Sequence, residues 1–179
     1  MTFEPPQADD SVRIRLENNE SVEERLAIRA INEAAFGGAD ESDLVDKLRA
    51  DGHAIVSLVA ELDTGIVGHI MFSRMWVRTS TALVPAVALA PVAVIPEHQR
   101  RGIGGRLIRY GLELLQGRSE RIVIVLGHPD YYPRFGFSTD KAKFIESPFP
   151  SEAFMAMELS TDALSGIRGK VVYPPAFGI

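Results

Sequence analysis

The 179 residues contain no cysteine. Disulfides, thiolate metal sites and a cysteine nucleophile are all excluded by that one absence, and a reducing cytoplasm is the easiest compartment for such a chain. Concentrated charge of one sign is missing too. Nineteen Lys and Arg stand against 24 Asp and Glu, for a formal net charge of −5, and no basic block offers the face that nucleic acid requires. Nor is there an uninterrupted apolar helix. Eighteen uncharged residues separate Arg78 from Glu97, close to a bilayer span. Pro85, Pro91 and Pro96 break any helix there, and the Val and Ala content reads as a buried strand with irregular ends. No membrane partner is expected. Met1 to Asp10 lacks the apolar stretch of a signal peptide and reads as a disordered tail. Residues 11–179 contain neither an internal repeat nor a Gly/Ser linker and read as one domain.

What is present alternates between strand and helix periods. Val12 to Leu16 alternates as a strand. Ser21, followed by Glu23 and Glu24, starts a helix whose apolar stripe runs from Leu26 through Ile28 and Ile31 to Phe36, where Gly37-Gly38 ends it. Glu41 to Ala50 fits a second helix, stopped by Gly52. Ala54 to Leu62 and Gly65 to Val77 are β-rich runs joined by Asp63-Thr64, hence a hairpin. Ala86 to Ile95 is the buried strand, and Gly104 to Gln116 is an amphipathic helix with Leu107, Ile108, Leu112 and Leu115 on one face. Ile122 to Leu126 is a continuous apolar run, suited to a strand covered on both sides. Asp130 to Phe135 carries a short helical turn, and strands follow near Phe154 to Leu159 and Lys170 to Tyr173. The order β-α-α-β-β-β-α-β-α-β-β predicts an α/β (α+β) architecture, a mixed sheet of about six to seven strands flanked by helices.

The stretch from Val92 to Arg106 carries the most chemistry. A buried strand enters a turn with Arg100, Arg101 and Gly102, then passes directly into a helix through Ile103, Gly104 and Gly105. Helix N-termini offer unpaired N–H groups and partial positive charge to phosphate oxygens. Glycines let the main chain approach a ligand, and arginines add charge. This outlines a diphosphate site. The dinucleotide pattern G-x-G-x-x-G fails at Leu107, and the P-loop fails because no G-K-[ST] follows.

The string Gln99-x-x-Gly102-x-Gly104, after an extended Val-Ala-Val-x-Pro, resembles motif A of the GNAT acetyltransferase superfamily. Tyr132, Gly136 and Phe137 match the spacing of a second motif of that family, Tyr-x-x-x-Gly-Phe. Gly127 to Phe137, with the segments 154–159 and 169–177, resembles a subgroup of small bacterial predicted N-acetyltransferases. The resemblance implies a GNAT fold whose sheet is splayed at an acetyl-CoA site. Arg100, Arg101, Gly102, Ile103, Gly104 and Gly105 would hold the diphosphate. Val92, Ala93 and Val94 would pair with the pantetheine arm, and the Val94 N–H would face the thioester carbonyl. Pro91 suits such a splay, because it removes a ladder hydrogen bond and tolerates a bulge.

The implied reaction moves an acetyl group from acetyl-CoA, a cosubstrate, to a primary amine by direct attack in a ternary complex. It needs a neutral amine, donors for the oxyanion and a proton for the departing thiolate. Tyr132, protonated at neutral pH, is the candidate acid, while Tyr131 reads as packing. Glu97, His98, His128 and Asp130 are candidate bases, and His128 is favoured by its pKa range. His128 and Asp130 are too few ligands for a metal site, so none is expected. His53 and His69 read as structural. The acceptor would lie near the helix pair 21–50 and the loops near 75–85. Glu33, Asp40, Glu41 and Asp43 there read as a solvated face. Two alternatives stay open, a CoA-binding regulatory module with little turnover and transfer of a different acyl group. A homodimer through the C-terminal strands is a further expectation.

Overall fold

The computed structural model describes residues 11–179; the tail expected at Met1 to Asp10 lies outside them. Strand β1 (Arg13–Leu16) leads to helices α1 (Val22–Phe36) and α2 (Asp40–Ala50). Ser21 caps α1 by accepting a hydrogen bond from the Glu24 N–H, and Gly37 closes it in the left-handed conformation at φ 77°, the geometry glycine permits. Strands β2 (Ala54–Leu62), β3 (Gly65–Arg78) and β4 (Leu83–Val94) form an antiparallel meander. A short 3-10 turn (Pro96–His98) precedes α3 (Ile103–Gly117), and β5 (Ile122–Leu126) follows. The helical turn expected at Asp130 to Phe135 is a 3-10 turn, Tyr132–Phe135. After it come α4 (Thr139–Ala142), β6 (Ile145–Glu146), β7 (Phe154–Glu158) and β8 (Gly169–Val172).

One eight-stranded sheet runs β1-β2-β3-β4-β5-β7, with β8 paired to β3 and to β6 away from that path. The sheet is mixed, as expected, because β5 runs parallel to β4 and antiparallel to β7. It has one strand more than the periodicity predicts. The addition, β6, is two residues long and lies parallel to β8, too short to show any period.

Each face of the sheet has its own core. Leu107, Ile108, Leu112 and Leu115 of α3 pack on Val56, Leu58, Ile70 and Phe72 from one side. Burying each such side chain contributes about 1.5–3 kcal/mol. On the other face Ile28, Val45 and Leu48 from α1 and α2 meet Val59 and Met71. Further along that face Met75, Ala86, Ile124 and Phe154 form a third cluster. Strand β5 serves both sides, with Val123 and Val125 turned to the α3 core and Ile122 and Ile124 to the opposite one.

The functional consequence lies between β4 and β5. Their pairing consists of Val87 with Val123 and Ala88 with Ile124, and nothing beyond. From Leu89 onward β4 stays paired to β3 alone. There its register slips: Leu89 faces Phe72 and Val92 faces Ile70, so three steps on β4 match two on β3. Ala90 and Pro91 occupy this bulge, and the sheet opens just past it.

Candidate functional site

The backbone at the opening follows from ladder geometry. The Ile95 N–H donates to the Val67 carbonyl at 2.9 Å. Alternation along the antiparallel pair then turns Ala93, opposite His69, toward β3, and turns Val92 and Val94 away from it. The Val94 carbonyl confirms the direction, since it accepts a hydrogen bond from Gln99 Nε2 at 2.9 Å. Its N–H points the same way, into the gap that β5 leaves. Gln99 therefore fixes the peptide around Val94, a role that its place in the motif did not reveal.

The turn after β4 builds the second part of the site. Arg100 (φ 61°) and Gly102 (φ 80°) are both left-handed, and Gly102 caps α3 without any side-chain acceptor for the first N–H groups. Those donors stay available to an external acceptor. A cleft of about 610 Å³ lies against them, lined by Val92, Val94, Arg100, Gly102, Ile103, Gly104 and Gly105. Arg101 is exposed and Ala93 buried, and neither lines the cleft.

The far wall comes mostly from the turn that follows β5. Tyr131, Arg134 and Phe135 from the 3-10 turn, Arg109 from α3 and His98 also line the cleft. A side-chain carbon on Gly104 would lie 3.4 Å from the Tyr131 hydroxyl, so that hydroxyl stands over the first turn of α3. Tyr131 packs edge-on against Tyr132 and Phe135 at 5.1 and 5.2 Å. Burial pushes its pKa up, while Arg134 and Arg109 pull the other way. His98 is half-buried, and its Nδ1 is enclosed without a hydrogen-bond partner among the described residues.

Tyr132 lies behind this wall. It is 9% exposed, belongs to the α3-side core and contacts Phe137 edge-on at 5.9 Å. Its ring occupies the space that a side chain on Gly127 would need, which places it against the C-terminal end of β5. Burial, with a smaller contribution from Tyr131, pushes its pKa up to about 12. His128 and Asp130 are exposed beyond β5, and the His128 carbonyl accepts from the Tyr131 N–H at 3.1 Å. Glu97 is exposed in the turn after β4.

The acidic residues of the helix pair are largely neutralised within it. Arg29 reaches Glu33 at 3.0 Å and Asp43 and Asp46 at 2.8 Å each. Among the described residues no group of three or more His, Asp or Glu could hold a metal ion. No helix among them is long and apolar enough to cross a membrane.

Comparison with known proteins places this geometry. The acetyltransferase (GNAT) domain model matches residues 15–139. YjhQ of Escherichia coli (strain K12), an uncharacterized N-acetyltransferase, is 43% identical over 130 residues, covering 70% of this chain and 72% of that protein. The crystal structure of the GNAT family N-acetyltransferase YhbS from Escherichia coli in complex with CoA superposes with a TM-score of 0.85 at 30% identity, covering 100% of this chain and 97% of that one. A GNAT family acetyltransferase from Brucella melitensis, crystallised with acetyl-CoA, gives a TM-score of 0.76 at 35% identity, covering 93% and 97% of the two chains.

Proposed function

Because this chain belongs to the GNAT family of N-acetyltransferases, we propose that it binds acetyl-CoA and passes the acetyl group to a primary amine by direct attack in a ternary complex. The observation that carries the reading is the splayed edge of β4 opening onto a cleft lined by arginines, glycines and a helix N-terminus. The residues fit the ligand at each part. The N–H groups of the first turn of α3, with Arg100, suit a diphosphate; Arg101 stands outside as a longer-range charge. Val92 and the Val94 N–H present main-chain groups turned away from β3 to an extended, amide-containing arm, and Ala93 holds that edge to β3. CoA and acetyl-CoA bound to the two similar proteins support the assignment.

In this reading the acceptor nitrogen attacks the thioester carbonyl while the Val94 N–H donates to the developing oxyanion. Gln99 keeps that peptide oriented. The Tyr132 hydroxyl supplies the proton to the departing sulfur. A pKa near 12 keeps the phenol protonated across the working range. A thiolate leaving in the same low-dielectric setting is penalised as the phenolate is, so its proton affinity rises alongside. His128, exposed two residues past the end of β5, is the proposed base, handing the amine proton on to water.

The test is thiol release from acetyl-CoA across small amines, polyamines and peptides. Tyr132→Phe should lower kcat about 100-fold while leaving CoA affinity within about threefold. Wild-type turnover by this variant at saturating acetyl-CoA would remove the acid role. Tight CoA binding without thiol release to any amine would return the protein to the binding-module alternative.

A further inference from the structure

Helix α1 hides Ile28, Ile31 and Asn32 on its inner side. The opposite side of such a surface helix ordinarily carries charge. Here Val22, Leu26, Ala30 and Ala34 follow one another at four-residue spacing, and all four are exposed, Val22 at 55% and Leu26 at 62%. Residues four apart stack into a ridge, so they form one continuous apolar strip about 20 Å long. Gly37 and Gly38, also exposed, prolong it into the turn before α2. The acids that border the strip are held from within their own chain: Arg29 ties Glu33 at 3.0 Å, and Glu23 accepts from Ser21 Oγ at 3.2 Å.

The strip is graded in size. Its N-terminal half carries Val22 and Leu26, its C-terminal half Ala30 and Ala34. A second copy laid antiparallel across a two-fold axis sets large against small at every step, Val22 on Ala34 and Leu26 on Ala30. The match is the same in both directions, which is the condition for an isologous contact. Four-residue ridges of the two helices then interdigitate, the commonest way in which helices pack, and the alanines let the axes approach to about 8 Å. Charge agrees with this register. At 3.6 residues per turn Arg25 and Glu33 fall on one flank of the strip, and the two-fold axis brings like flanks together, so Arg25 of each copy faces Glu33 of the other. The C-terminal strands offer less room: Ser138 bridges β7 at Ala156, and β8 has β3 on one side and β6 on the other.

We propose that the outer face of α1 is a self-association surface, on which a second copy of this chain docks antiparallel through the strip from Val22 to Ala34. A helix of this length covers about half of the ~800 Å² that each side of a standard interface buries. The dimer is therefore weak, with a Kd on the order of 100 µM. Its contact lies on the side of the sheet away from α3, so the α3-side cleft stays open in both copies.

Sedimentation velocity of the full chain from about 10 µM to about 1 mM tests it. The wild type should pass from monomer to dimer across that range. Leu26→Asp and Ala30→Arg, each at an exposed position, should stay monomeric with thermal midpoints nearly unchanged. The absence of cysteine makes the register readable by disulfide trapping. Val22→Cys mixed with Ala34→Cys should oxidise to a mixed dimer. Neither variant should do so alone, because each thiol would stand about 18 Å along the axis from its own copy. Homodimers trapped from both single variants would mean parallel helices and overturn the proposal. So would a dimer that survives Leu26→Asp and Ala30→Arg, since the contact would then lie elsewhere. A wild type that stays monomeric to the top of the range would overturn it too, and leave the strip to a different partner.

Discussion

His69 is fully buried on β3 with both ring nitrogens engaged, at 3.2 Å from Asn32 Nδ2 and 3.0 Å from Ser57 Oγ. Ser57 gives its own proton to Glu17, and Arg49 answers Glu17 at 2.6 Å. Nε2 therefore carries the ring hydrogen, and Nδ1 accepts from Asn32. Burial, then the Arg49 charge, drives the imidazole pKa down from 6.5 to about 3. Between those values the unfolded chain holds a proton that the native one refuses, so stability must fall as pH drops from about 6.5 toward 3. The slope due to this ring approaches about 1.4 kcal/mol per pH unit. Urea unfolding of the wild type and His69→Gln from pH 7 to 4.5 should give curves that converge as pH falls; parallel curves would show that the ring is not the source. The structural role expected for His69 was readable from its place on a strand. Its partners were not, because they lie 37 and 12 residues away and alternation reports a face without naming what covers it.

At the scale of elements, α3 explains what a sequence can and cannot disclose. Its apolar stripe and the glycines at its start are local patterns, so both its span and the glycine-lined turn that borders the cleft were legible. Gly111 is another matter. A side-chain carbon there would overlap the Phe72 ring, so helix and strand approach to a distance that only glycine allows. Gly111→Ala should lower unfolding free energy by about 1–3 kcal/mol through overpacking. Gly117→Ala, in open space at the helix end, should be neutral or slightly stabilising; equal thermal midpoints for the two variants would refute the close approach. The same limit hid the far wall of the cleft. Arg109 reads as a polar position on an amphipathic helix, and Arg134 as part of a Pro-containing turn. Only the tertiary meeting of Phe135 with α3 puts both beside the glycine loop. The short β6 escaped for a simpler reason, since two residues cannot display alternation.

Across the described residues the sheet joins antiparallel β1 to β4, with β8 and β6 on the flank of β3, to a smaller β5–β7 pair. Ten residue pairs bind β3 to β4 and five bind β5 to β7, yet only two bind β4 to β5. Along that narrow seam the two parts of the sheet share side-chain packing but few main-chain rungs. A guest that hydrogen-bonds along β4 and rests against the end of β5 acts as the missing rungs, and the two parts should then move as one. Amide hydrogen exchange should slow on CoA binding in β5 and β7 as well as at Val92 and Val94, although β7 borders no part of the cleft. Protection confined to the cleft would mean that the two parts were already locked. A thioester seated along β4 would in this way complete the sheet it enters, and its departure would leave the seam with its two rungs again.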